Sequence, residues 1–351
     1  MGNEKPIITL DDEGMALIEA HRRWWRREGN LLTRERGEPL GDLWLPLADG
    51  TIATEDMDLT PEMLDVEALV GPALEAGPLR ISGDRFATTT AFGRVPWVEA
   101  VLGGPIHATL QGGSMRTKPF IEQWEDWHGV AAHRDAAWYE LLLHMTEVLV
   151  ARSGGRHAVV APTMRGPSDL AEALFGAELM CFSIYDHPDE LRHFLDEATD
   201  LFIEILHALL ARFAPVAGGY VSPFGIWAPG TVVRTQCDAS AFLSAQHYAE
   251  WFLPYDARIS ESVDYAIIHL HSCSLHTVDA LLEVERPQAI QVTLETGTSV
   301  PSLEAMVPVF RRILAHKPLL VEGPLTHDEV AWLLDVLPAE GLAITAREVG
   351  W

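Results

Sequence analysis

Tyr265-Ala266-Ile267-Ile268-His269-Leu270-His271-Ser272-Cys273-Ser274-Leu275-His276 opens as an apolar, β-branched run and closes in a polar break. Such a run reads as a buried strand that empties into a loop. Side chains alternate along a strand, so His269, His271 and Cys273 are expected on one face, with Ile268, Leu270 and Ser272 on the other. Two imidazoles and a thiol on one wall are ligands of the kind a zinc ion takes. The plainer reading is a locally bonded histidine and an inert cysteine acting as a small hydrophobe.

Outward from this stretch the chain alternates between strands and helices. Downstream come helix 276–284, strand 289–294, helix 302–315, strand 318–321, helix 327–337 and strand 342–346. Upstream, helix 136–152, strand 158–162, helices 168–177 and 189–213, strand 217–222 and helix 241–263 follow the same rhythm. Thr326-His327-Asp328-Glu329 is a capping box that starts the penultimate helix. Strands separated by helices and short links imply right-handed βαβ units around a parallel sheet. The units suffice for a (β/α)8 TIM barrel of about 250 residues. We therefore expect one structural domain, with an N-terminal helical extension over residues 1–78 packed on a barrel over residues 79–351. Met15, Leu17, Ile18, Trp24 and Trp25 give the extension an amphipathic helix, suited to packing on the barrel or to serving as the arm of a homodimer.

The 351 residues are 48% hydrophobic, enough to bury a large core, and carry a formal net charge of −26. That charge argues against nucleic acid and against an anionic membrane surface. No apolar run approaches the roughly 20 residues a membrane helix needs. Cys181, Cys237 and Cys273 are too few and scattered for a disulfide framework, and Met1 to Pro6 lacks the basic and apolar regions of a signal peptide. A cytoplasmic protein acting on a small molecule is expected.

In a barrel of this kind chemistry gathers at the carboxyl ends of the strands. Arg165, Tyr220, Ser222, Trp227, His271, Cys273, Glu295 and Glu322 fall at such ends. A histidine, a cysteine and one or two carboxylates there look like a zinc shell with an open position, although acids at strand ends are also commonplace solvated groups. Glu99, within a short apolar helix, is read as a solvated acid on the same ground.

Three segments resemble the uroporphyrinogen decarboxylase superfamily, including its corrinoid and coenzyme M methyltransferase branch. They are Met164-Arg165-Gly166-Pro167-Ser168-Asp169 with its helix and Tyr185-Asp186-His187-Pro188, then Asp238 to Tyr255, and His271-x-Cys273 with the helix beginning at Val278. Together they span about residues 80–345. The resemblance implies the barrel fold and, in its zinc methyltransferases, a His-x-Cys pair completed by a second cysteine near the C-terminus. His271 and Cys273 match the pair, but Gly341 to Glu348 holds no cysteine. The Met-Arg-Gln-Ala-Gly-Arg signature of the decarboxylases is also missing.

The resemblance thus implies a zinc-dependent methyltransferase moving a methyl group between a corrinoid, carried by a partner protein, or a methylated small molecule and a thiol. His271, Cys273 and Glu322 would be ligands, with Glu295 as the other carboxylate. Arg165 and Tyr220 would orient substrate, and Phe224 and Trp227 would exclude water. The alternative is a metal-free lyase in which Arg165 holds a carboxylate and His269 or Asp238 moves a proton. A non-catalytic binding barrel is the third class.

Overall fold

The computed structural model describes residues 6–36, 41–295 and 300–348. Residues Met1 to Lys5, part of the stretch read as lacking a signal peptide, lie outside them. Eight strands carry the architecture: β1 Leu31–Arg36, β2 Thr88–Thr90, β3 Ala158–Val160, β4 Val232–Gln236, β5 Tyr265–His271, β6 Ala289–Thr293, β7 Leu319–Leu325 and β8 Leu342–Glu348. Six form one parallel sheet in the order β1-β8-β7-β6-β5-β4, so the chain's first long strand lies against its last. β2 and β3 pair in parallel as a separate two-stranded piece.

The expected ring of hydrogen bonds is not continuous: among the described residues no ladder joins β1 to β2 or β3 to β4. Short antiparallel hairpins occupy both seams. One, Ile81–Phe86, is stitched to β1 by Asp84, whose carboxylate accepts from Leu32 N at 2.7 Å and whose N–H donates to Leu32 O at 3.2 Å. Gly83 at its turn has φ 56° and sits so close that a Cβ would meet Thr33 Cα at 2.9 Å. The other pairs Tyr220–Val221 with Trp227–Ala228, close beside β3, and leads directly into β4.

The helices follow from capping and apolar spacing. They include α1 Asp12–Trp25, α2 Ala136–Arg152, α3 Pro167–Asp186, α4 Pro188–Leu210, α5 Leu253–Glu261, α6 Val278–Glu283, α7 Leu303–His316 and α8 His327–Val336. Asp11 caps α1 through Gly14 N at 2.8 Å, and acids at its start with Arg22 and Arg23 at its end suit the helix dipole. In α8 the box is formed: Thr326 N donates to Glu329 Oε2 at 2.8 Å, and Glu329 N donates back to Thr326 Oγ1 at 3.2 Å. α3 runs past residue 177, bending at Gly176 with φ 80°.

Parallel strands buried on both faces explain the near-continuous apolar runs. Ile268, Leu270, Ile290, Val292, Leu319, Val321 and Ile344 face the helices and join the main core. The opposite, inner face is layered. Its lowest residues, Leu31, Ile267, Ala289, Leu320 and Ala343, pack with Ile226 and the fully buried Trp24, so that α1 closes this end. Toward the carboxyl edge the same face turns polar. Gln236, His269 and Gln291 lie in register, and His271, Thr293, Glu322 and Thr345 form the next row. No described helix is long and apolar enough to cross a membrane.

Candidate metal centre

Asp238, two residues past the end of β4 and first in the 3-10 turn Asp238–Phe242, stands before the two histidines of β5. Its Oδ1 is 3.6 Å from His269 Nε2 and its Oδ2 3.5 Å from His271 Nε2. The two imidazoles meet edge to face with centroids 4.7 Å apart. Donor atoms of all three residues lie within 4.8 Å of one another, and no other such group of three occurs among the described residues.

Each side chain is held from behind. His269 Nδ1 bonds Gln291 Oε1, and Gln291 Nε2 donates in turn to Thr293 Oγ1 at 3.0 Å. That arrangement of the Gln291 amide places the imidazole proton on Nδ1 and leaves Nε2 with a lone pair. His271 Nδ1 stands 2.6 Å from Glu295 Oε1, and the other oxygen of Glu295 accepts from Ser272 N at 3.1 Å. Gln236 Nε2 donates to Asp238 Oδ2 at 2.7 Å and to Asp169 Oδ2 at 2.8 Å. Asp169, buried, also accepts from Ala239 N at 2.8 Å.

The charges sort accordingly. Burial, with Arg234 nearby, lowers His269 to about 4, so it is neutral near pH 7. The hydrogen bond to Asp238 raises His271, against its own burial and with help from Glu295. Burial alone would raise Asp238, but His271, His269 and Arg234 hold it below the usual carboxylate range. Burial and the neighbouring Asp238 charge push Asp169 up to about 7.

A neutral His269 therefore directs a lone pair at a carboxylate oxygen. Asp238 Oδ1 is itself buried and accepts no hydrogen bond. Two acceptors facing each other without a proton between them are repulsive, and an unpaired buried acceptor costs about 1–3 kcal/mol. A cation between them removes both penalties. Ligands about 2.0–2.1 Å from a tetrahedral zinc sit roughly 3.3 Å apart; each histidine nitrogen is 3.5 or 3.6 Å from one of the two Asp238 oxygens, and the donor atoms all lie within 4.8 Å of one another. The backing of the imidazoles by a carboxylate and an amide is the support that metal-bound histidines receive. The residues present thus fit a divalent ion held by one oxygen and two nitrogens.

This is not the ligand set expected from the alternation. β5 ends at His271, and Ser272–Thr277 forms a 3-10 turn that carries Cys273 off the strand's face into solvent. The Cys273 thiol lies 4.0 Å from Ser274 Oγ. Glu322 lies on the inner face but bonds the Arg347 guanidinium, which takes it out of the donor group. Glu295 lies against His271, its Oε1 2.6 Å from Nδ1. Trp227, expected at the mouth, is 1% exposed and belongs to the closed end. Its N–H donates to His21 Nδ1 at 2.9 Å, its indole to Val216 O at 2.7 Å, and its carbonyl accepts from Trp25 at 2.9 Å. Tyr220 packs half-buried in the adjoining hairpin, and Phe224 packs on the closed end below Arg234.

Arg165 is near the site, with its Nε 3.2 Å from Glu99 Oε1. Glu99 is 1% exposed rather than solvated, because this guanidinium supplies the counter-charge that makes burial tolerable. Burial still raises its pKa, with Arg165 opposing.

The missed residues are Gln236, Arg234 and Gln291. The first two sit on β4, which falls between the expected strand 217–222 and the expected helix 241–263. Val232-Val233-Arg234-Thr235-Gln236 did carry the signal, a β-branched run whose polar positions fall two apart.

No protein-family profile matches this chain, and no curated protein does. Among solved structures, a methyltransferase from Methanosarcina mazei is similar in fold, with TM-score 0.51 and 16% identity over 72% of this chain and 71% of that one.

Proposed function

We propose that the chain is a zinc-dependent methyltransferase whose ion is held by Asp238, His269 and His271. The observation that carries the reading is the unpaired, buried Asp238 Oδ1 opposite the lone pair of a neutral His269. The likeness in fold to the methyltransferase from Methanosarcina mazei supports the reaction class. We read the eight strands as a (β/α)8 barrel interrupted at two seams, with the centre at the carboxyl end where such barrels place their chemistry.

A zinc ion held by Asp238, His269 and His271 would supply Lewis acidity that favours the thiolate form of a substrate thiol. In the reaction proposed, the sulfur–methyl bond would form as the bond from that methyl group to its donor breaks, the donor being a methylated corrinoid on a partner protein, released demethylated with the bonding electron pair, or a methylated small molecule. The chain's own residues orient and insulate. Gln291 fixes the tautomer of His269, Glu295 holds the ring of His271, and Gln236 anchors Asp238. Asp238 and His271 keep about a third of their side-chain surface exposed, so the centre is open to a ligand from one side. Cys273 and Glu322 have no ligand role in this scheme.

The direct test is to incubate zinc-loaded protein with methylcobalamin and a panel of small thiols while following the corrinoid's visible spectrum. Demethylation that requires zinc and is lost in His269→Ala supports the reading. Equal rates from chelator-treated protein, or no rate above that of the free thiol, overturn it.

A further inference from the structure

Arg234 is unusual on the inner face of the sheet. Its sequence neighbours Val233 and Thr235 are fully buried, as is Ile267, its register partner on β5, yet Arg234 itself keeps exposed surface. Arg234 lies in the row next to that of Gln236 and His269, toward the start of the strands. The guanidinium bonds Gln236 Oε1 and lies with its carbon 5.8 Å from the Phe224 ring. Among the described residues it makes no ion pair, although arginine offers five donors in a planar fork. Asp238, Asp169 and Glu322 act on it only at longer range, and each is held elsewhere: Asp238 and Asp169 by Gln236, Glu322 by Arg347. An enclosed guanidinium without a direct anionic partner is costly, and a planar carboxylate is the group that matches its fork in two parallel hydrogen bonds.

We infer that Arg234 is an anchoring residue for the carboxylate of a small substrate, whose other end lies at the Asp238, His269 and His271 group. The short path sets the size. One carboxamide, that of Gln236, spans from the guanidinium to Asp238, so the ligand carries its carboxylate only a few bonds from its reacting atom. This substrate class rests on the function proposed above, but the anchoring itself does not require an ion in the site.

The experiment measures binding of propionate and of its uncharged amide, propionamide, by calorimetry, using protein as purified and after chelator treatment. Chelation removes direct carboxylate binding to an ion. The expected result is that propionate binds in both preparations and propionamide at least about tenfold more weakly. Arg234→Met should abolish propionate binding. Arg234→Lys, which keeps the charge without the fork and serves if the methionine variant fails to fold, should weaken it about tenfold. Equal binding of acid and amide, binding unchanged in either variant, or propionate binding lost on chelation overturns the inference. Metal content of the same preparations is read separately, so failure to hold zinc would sink the methyltransferase reading while leaving this result to stand.

Discussion

His269 keeps its proton on Nδ1 because Gln291 presents an amide oxygen there, and that single hydrogen bond decides which face of the ring is free. Gln291→Leu removes the constraint without touching a ligand, and losses of this kind lower metal affinity about 10–100-fold. Competition for zinc against a chromogenic chelator measures it. Cys273→Ala in the same assay should leave affinity unchanged, which separates this centre from one built on His271 and Cys273. The histidine pair was legible in the sequence because alternation along a buried strand puts residues two apart on one face. Cys273 was misplaced because that alternation was carried through the polar break, where the backbone had already left the strand. Gln236, Gln291 and Arg234 were not legible as site residues, since an amide or a guanidinium declares a role only through the partners the fold brings to it.

At the scale of single elements, α1 does more than pack against the sheet. His21, fully buried, accepts from Trp227 N at Nδ1 and bonds Asp84 O through Nε2, 2.9 Å in each case, tying the helix to both seam hairpins. Burial lowers its pKa to about 4 from 6.5, with the Asp84 carbonyl only partly opposing. Between those values the unfolded chain binds the extra proton and the folded chain does not. His21 therefore contributes stability that is whole above pH 6.5 and lost as pH falls toward 4, amounting to about 3 kcal/mol. Glutamine at this position can donate and accept without titrating. Denaturant unfolding of native protein and His21→Gln at pH 7 and pH 4 should show the native protein losing about 3 kcal/mol relative to the variant. A constant difference would contradict the assignment. The helix was legible from its apolar spacing and acidic start. The use of its histidine was not, because Asp84 and Trp227 lie 63 and 206 residues away.

For the whole molecule, the parallel arrangement was legible because βα units leave a period in the sequence. The seams were not, since hairpin strands of two residues are too short to show one. Nor was β1, which lies within the stretch read as an N-terminal extension yet pairs with β8 over six residues. Removing residues 1–36 would leave one edge of β8 unpaired and expose Leu320, Ala343 and Ile226 where Trp24 now covers them. The shortened chain should lose its cooperative thermal transition, and a sharp transition near the native one would show that these residues are dispensable. The central claim, that Asp238, His269 and His271 hold the ion, is tested most directly by X-ray absorption at the zinc edge of the loaded protein. The result predicted is a shell of nitrogen and oxygen alone at about 2.0–2.2 Å. A sulfur scatterer at about 2.3 Å, or a protein that takes up no zinc at all, would contradict it.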